Sequence, residues 1–413
     1  MSLFTVITVL FVISSLFSYI NARWIKLPGV IGVMLLAIIV ALFLIIFGKS
    51  LPFVSKFSFT VLNSIDFSKT LLNMMLGFLL FASALHFDIN RLKGNLRAVL
   101  ITSTVGVVLS ALIFASLLYY LLYLFHLPVP FIYCLVFGAL ISPTDAVAVA
   151  ALLKKSKMPE RLKTIITGES LFNDGIGIVL FVTLSDFAAA PEHGFSWSTM
   201  LQLFAREIFG GVALGLITGW LAYRMIRTID EFQTIVLISF TLVMSISVAA
   251  TFLHVSIPLA VVAAGLLIGT CPFGKEQSLH LNEYLDRIWS LTDDLLNTIL
   301  FVLIGLQMVG VTFSVDYFWI GIIAIIILLI ARAASIILPI VFLRRTLKLK
   351  YNSILVLTWG GLRGGISIAL ALSLPASPYR ELILTCSFFI VVFSVIVQGL
   401  TLNRLIEKVQ FNS

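Results

Sequence analysis

Charge is what this sequence lacks most. Of its 413 residues only 11% are Asp, Glu, Lys or Arg, where a water-soluble domain carries roughly 25%. Cysteine is scarce too. Cys134, Cys271 and Cys386 are odd in number, far apart, and set in or beside apolar stretches, which excludes a disulfide framework and gives no zinc-ligand spacing. They read as buried thiols. The first apolar run, residues 2–20, has no basic n-region and no A-x-A cleavage site, and Arg23 and Lys26 follow it, so it reads as a retained helix and not a signal peptide. No G-x-S-x-G supports a serine hydrolase. The net charge of +8 is not gathered on one solvated face but scattered through short loops, which excludes a nucleic-acid partner.

What is abundant is apolar sequence, 60% of the chain. Runs of membrane-spanning length fall near 2–20, 29–47, 69–87, 98–125, 129–153, 164–186, 201–223, 232–253, 257–270, 285–310, 317–343, 353–374 and 382–403. An all-α polytopic protein of about 13 transmembrane helices is expected, with its surface in contact with a lipid bilayer. Residues 57–68 alternate Phe57, Phe59, Val61, Leu62 and Ile65 with Ser58, Asn63, Asp66 and Ser68, a pattern that also suits an interfacial amphipathic helix. Of the 27 Lys and Arg, 20 lie in alternate loops, among them Arg91, Lys93, Lys154, Lys163, Arg344 and Arg404, against four in the opposite set. The positive-inside bias puts the first set in the cytoplasm, the N-terminus outside and the C-terminus inside. Little sequence follows the last run, so no soluble regulatory tail is expected.

An ionisable side chain inside a span is costly and is by default a functional candidate. Asp145, Glu169, Asp174, Asp293 and Asp294 qualify, with Arg332 and Arg363 as basic counterparts. Asp145 ends the stretch Ser142-Pro143-Thr144-Asp145, where the proline removes a backbone donor and should unwind the fifth span. In the twelfth, Gly360, Gly361, Gly364 and Gly365 surround Arg363, a composition that weakens a helix and lets bare backbone line a cavity. Paired interruptions in corresponding halves point to a transporter's ion site. Two inverted repeats, about 1–187 and 232–407 and linked by a seventh helix at 201–223, would make the two breaks equivalent.

The sixth span carries Gly168-Glu169-Ser170-Leu171-Phe172-Asn173-Asp174. At about 100° per residue Ser170 and Asp174 share one helix face, and Glu169 and Asn173 another. A carboxylate, a hydroxyl and freed backbone carbonyls suit a hard monovalent cation such as Na+. One carboxylate can hold a cation or a proton but not both, which is the logic of an exchanger.

On these residues, together with Leu296-Asn297, Leu300-Phe301, Gly305-Leu306-Gln307 and Gly361-Leu362-Arg363-Gly364-Gly365, the sequence resembles the cation/proton antiporter-1 family, most of all its bacterial NhaP-type sodium/proton antiporters. The resemblance implies a homodimer in the plasma membrane, with helices 5 and 12 unwinding and crossing beside helix 6. It further implies Asp174 as the shared Na+/H+ ligand, completed by Ser170 and the Thr144 carbonyl. Asn173 would brace the unwound segment, and Asp145 would neutralise the converging half-helix N-termini. Glu169 and Arg363 would form a structural ion pair. Where many relatives carry a glutamate in the third helix, this chain has Ala82 within Phe81-Ala82-Ser83-Ala84-Leu85-His86. The Asn-Asp order at Asn173-Asp174 accompanies electroneutral exchange in that family, so one Na+ per H+ is expected, with no enzymatic activity and no cofactor.

Other readings carry less. A cation channel or carrier without proton coupling would also place oxygen ligands in the membrane, but two broken half-helices around one buried acid suit alternating access better. An intramembrane aspartyl protease would pair Asp145 with Asp174 and leave the broken spans unexplained. Gly211, Gly215 and Gly219 read as intramolecular packing ahead of a dimer seam. Asp293 is assigned to the cavity of the tenth helix. The histidines, mostly at span ends, read as structural.

Overall fold

The computed structural model describes residues 2–47, 74–153, 156, 158–189, 197–270, 278–310, 315–342 and 351–409, and all of its regular structure is helical. In chain order the helices are α1 (Leu3–Ile20), α2 (Gly29–Phe47), α3 (Leu76–Leu85), α4 (Ile89–Leu124), α5a (Phe131–Ile141), α5b (Ala146–Leu153), α6 (Glu160–Ala189) and α7 (Trp197–Ile226). There follow α8 (Phe232–Leu253), α9 (Ile257–Thr270), α10 (Ser278–Val309), α11 (Val315–Phe342), α12a (Tyr351–Trp359) and α12b (Gly365–Ser373). The last is α13, which runs as Arg380–Phe393, a π-helical Ser394–Gln398 and then Gly399–Lys408. Among the described residues nine helices are long and apolar enough to cross a membrane, and Leu76–Leu85, Phe131–Ile141 and Ile257–Thr270 are shorter apolar helices. The stretch 57–68 and Cys271 lie outside the described residues. Cys134 and Cys386 are buried.

The outer surface is apolar. Phe4, Phe252 and Phe342 are 80%, 83% and 81% exposed, an arrangement that water would penalise and lipid does not. Helix ends carry ordinary local signals. Ser2 caps α1 by accepting from the Thr5 N–H, and Asp88 caps α4 by accepting from Asn90 and Arg91. His254 closes α8 in the left-handed conformation, and His126 takes the same conformation just after α4. These two histidines therefore terminate helices.

Helices α4, α5, α6, α11, α12 and α13 pack chiefly on one another, as do α1–α3 with α7–α10. The second group has its own apolar cluster around Trp289, Phe81, Leu242, Val243 and Ala260. Trp289 is fully buried, and its indole N–H donates to Ser239 Oγ at 3.1 Å. Within that group α7 lies directly on α9. A Cβ at Gly211, Gly215 or Gly219 would strike Ser256, Ala260 or Ala264, so the glycine stripe is an intramolecular seam.

Candidate functional site

Both expected interruptions are present, at 142–145 between α5a and α5b and at 360–364 between α12a and α12b. An interruption leaves backbone groups without intrahelical partners, and in an apolar interior these must be met by something. The two breaks meet each other. The Asp145 N–H donates to the Leu362 carbonyl at 2.8 Å, and Arg363 Nη1 donates to the Pro143 carbonyl at 3.0 Å. Gly364 allows this approach, because any Cβ there would collide with the Asp145 carboxylate.

Helix α6 lies beside the crossing, with Gly177 against the Pro143 ring. One turn earlier, Asn173 clamps Thr144 from two sides. Its Nδ2 donates to Thr144 Oγ1 at 2.7 Å, and its Oδ1 accepts from the Thr144 N–H at 3.2 Å. Thr144 Oγ1 also lies 2.8 Å from Ser170 Oγ. Since Thr144 Oγ1 accepts from the amide, its own proton can go to Ser170, which leaves Ser170 a lone pair for a cation. Asp174 is 2% exposed on the same α6 face as Ser170, with Asp145 and Arg363 as its charged neighbours. The structure thus gathers Thr144, Ser170, Asn173 and Asp174 at the crossing.

Asp145 is half-buried, and its Oδ1 accepts from the Ala148 N–H at 3.0 Å in the first turn of α5b. Lying also against Gly364, next to the start of α12b, its negative charge is placed where two half-helix N-termini converge.

One assignment is corrected. Glu169 was expected to pair with Arg363, but its Oε1 lies 2.5 Å from Nη1 of Arg332 on α11. The side chains of both residues are almost wholly buried, 1% and 4% exposed. Arg332 reaches this place because Gly361 has no side chain: a Cβ there would be 2.8 Å from Arg332 Nε. Arg363, whose backbone belongs to the break, donates from its guanidinium to the Pro143 carbonyl, with the Glu169 carboxylate among the charges around it. Sequence reading marked Arg332 as an in-span charge but assigned it no partner. It also passed over Ser394, Gln398 and Thr401, spaced i, i+4 and i+7 in α13, which bond to Arg363 and Trp359.

A cavity of about 720 Å³ leads toward the crossing from the end of the molecule that bears the basic loops. Its wall includes Ala82, Ala146, Leu171 and Asp293. Leu171 stands one turn before Asp174 on α6, and Asn297 Nδ2 donates to Asp293 Oδ1 at 3.0 Å. At the mouth Glu160 on α6 bonds Arg91 on α4 and, at 3.0 Å, Lys163.

The family described as "Sodium/hydrogen exchanger, transmembrane" matches residues 11–408. The chain belongs to the sodium/hydrogen exchanger family. Among its relatives, the Na(+)/H(+) antiporter NhaP of Pseudomonas aeruginosa is 38% identical over 408 residues, covering 96% of this chain and 95% of that one. The Na(+)/H(+) antiporter NhaH of Halobacillus dabanensis is 30% identical over 397 residues, covering 94% and 93%. In fold, this exchanger-family chain is similar to the sodium proton antiporter MjNhaP1 from Methanocaldococcus jannaschii at pH 8, with a TM-score of 0.79 at 20% identity over the whole of both chains.

Proposed function

We propose that this chain exchanges Na+ for H+ across a membrane by alternating access, with Asp174 as the shared carboxylate. The observation that carries this reading is one buried acid beside a Thr144–Ser170–Asn173 hydrogen-bonded cluster, at the point where two broken helices cross. With the crossing open to one side of the membrane, Asp174 releases a proton and accepts Na+, with Ser170 Oγ and the Thr144 carbonyl replacing part of the hydration shell. On the other side the order reverses. The bare carboxylate is the form least able to move through the apolar interior, because only the loaded forms have their charge neutralised. Movement is thereby tied to loading.

Asp174 has asparagine and not a second acid before it, which supports one Na+ per H+. Oxygen ligands also suit Li+ and K+, so these are candidate cargoes alongside Na+. The division into two packed groups, α4–α6 with α11–α13 against α1–α3 with α7–α10, takes corresponding helices from two halves of the chain. It supports inverted repeats of about 1–187 and 232–407. A homodimer in the plasma membrane, N-terminus outside and C-terminus in the cytoplasm, completes the reading, with a role in pH and sodium homeostasis.

The test is recovery of a preset ΔpH in proteoliposomes on adding Na+, Li+ or K+. Na+-driven recovery that is lost in Asp174→Asn and unchanged when valinomycin and K+ clamp the voltage is the expected result. No cation-driven proton movement would overturn exchange in favour of a channel or an uncoupled carrier.

A further inference from the structure

The break at 360–364 is held from one side by residues 143–145 of the break in α5. The residues that hold its other side lie on α13. The Arg363 N–H donates to Ser394 Oγ at 2.7 Å, and Gln398 Nε2 donates to the Trp359 carbonyl at 3.2 Å. The Trp359 indole N–H reaches Thr401 Oγ1 at 2.9 Å. Ser394 is fully buried and Gln398 is 3% exposed. They bound the π-helical turn Ser394–Gln398, closed by the Gly399 N–H on the Ser394 carbonyl. Such a turn inside an α-helix is uncommon, and it often marks a functional position.

A chain of contacts continues inward from this turn. Ser394 fixes the backbone of Arg363, whose side chain bonds the Pro143 carbonyl, and the next residue, Thr144, belongs to the candidate cation cluster. We infer that Ser394 and Gln398, through the π turn of α13, are positioning residues that set where Pro143-Thr144 stands relative to Ser170 and Asp174. This inference rests on the exchange reading above. Neither side chain touches the cluster, so their effect is on the geometry offered to the cation.

The test is Na+-driven recovery of a preset ΔpH in proteoliposomes over a series of Na+ concentrations. It compares the unmodified protein with Ser394→Ala, Ser394→Thr, Gln398→Ala and Ser387→Ala. Ser387, two turns earlier on α13, bonds only within its own helix, to the Ile383 carbonyl at 2.7 Å, and serves as the control. Ser394→Ala and Gln398→Ala should each raise KM for Na+ about five-fold, equivalent to roughly 1 kcal/mol. In both, kcat should stay within about two-fold, because the carboxylate and its proton are untouched. Ser394→Thr keeps the hydroxyl and should restore KM, and Ser387→Ala should change neither constant.

Should Ser394→Ala fail to fold, Gln398→Ala decides alone, since its bond goes to a different backbone group, the Trp359 carbonyl and not the Arg363 N–H. An unmoved KM in the variants that fold, a fall confined to kcat, or an equal shift in Ser387→Ala would overturn the inference and leave the exchange reading standing. No exchange by the unmodified protein would overturn both.

Discussion

In the exchange proposed above, Asp174 is the carboxylate that protons and Na+ share, and their competition there gives a pH signature. Protons and Na+ seek the same carboxylate, so acid raises the apparent KM for Na+, whereas alkali starves the proton-carrying leg of the cycle. Rate against pH should therefore be a bell. Raising Na+ should move the acid limb to lower pH, since more Na+ displaces protons at any given acidity. Stopped-flow measurement of ΔpH recovery at two Na+ concentrations checks this, and an acid limb fixed in pH would show that the two cations do not share a site. Glu169 and Arg332 obey different physics. Removing one partner strands the other's charge in the interior, so Glu169→Gln should destabilise the protein by about 3–5 kcal/mol. Glu169→Gln combined with Arg332→Met removes both charges and should recover much of that loss. Thermal unfolding in detergent reads both, and a double variant no better than the single one would mean the pair is not coupled.

Among the elements, α7 and α9 show how a small-residue stripe becomes a seam. Gly215 faces the Ala260 carbonyl so closely that a side chain must push the helices apart. Gly215→Leu should cost about 1–3 kcal/mol by overpacking. Gly29, at the start of α2, has nothing within 4 Å of the place a Cβ would take, and Gly29→Ala should leave the melting temperature unmoved. Melting curves of the two variants side by side test the contrast. The broken helices follow the same economy of space. Gly361 admits Arg332 and Gly364 admits Asp145, so the glycine-rich composition of the twelfth span is a matter of room as well as of backbone freedom.

Across the whole molecule the two packed groups touch along few lines, one of them between α6 and α9. A Cβ at Gly175 on α6 would stand 2.7 Å from Leu259 Cγ on α9, so a cysteine pair at these positions is within disulfide reach, a Cβ···Cβ distance of about 3.5–4.5 Å. Oxidised Gly175→Cys with Leu259→Cys should stop exchange, and reduction should restore it to the rate of the uncrosslinked double variant. The natural Cys134 and Cys386 are buried and do not compete, and the pair is introduced in a Cys271→Ser background so that the third natural thiol is absent. Undiminished exchange by a fully crosslinked sample would mean that these two groups do not move against each other during transport.

Sequence alone determined the membrane class, because low charge and long apolar runs leave few other solutions. It located both interruptions as well, since Pro143 and the glycines around Arg363 act on the backbone wherever they stand. The shared face of Ser170 and Asp174 followed from helical period. Partner choice was another matter. Glu169 could have met either buried arginine, and only the packing of α11 against the space left by Gly361 gave it Arg332. Likewise nothing local announced that Ser394 and Gln398 would meet backbone groups at and beside a break, 31 and 39 residues earlier. Local pattern fixes what a residue can do, and a long-range contact is settled by which neighbour reaches it first with complementary charge or hydrogen-bonding capacity.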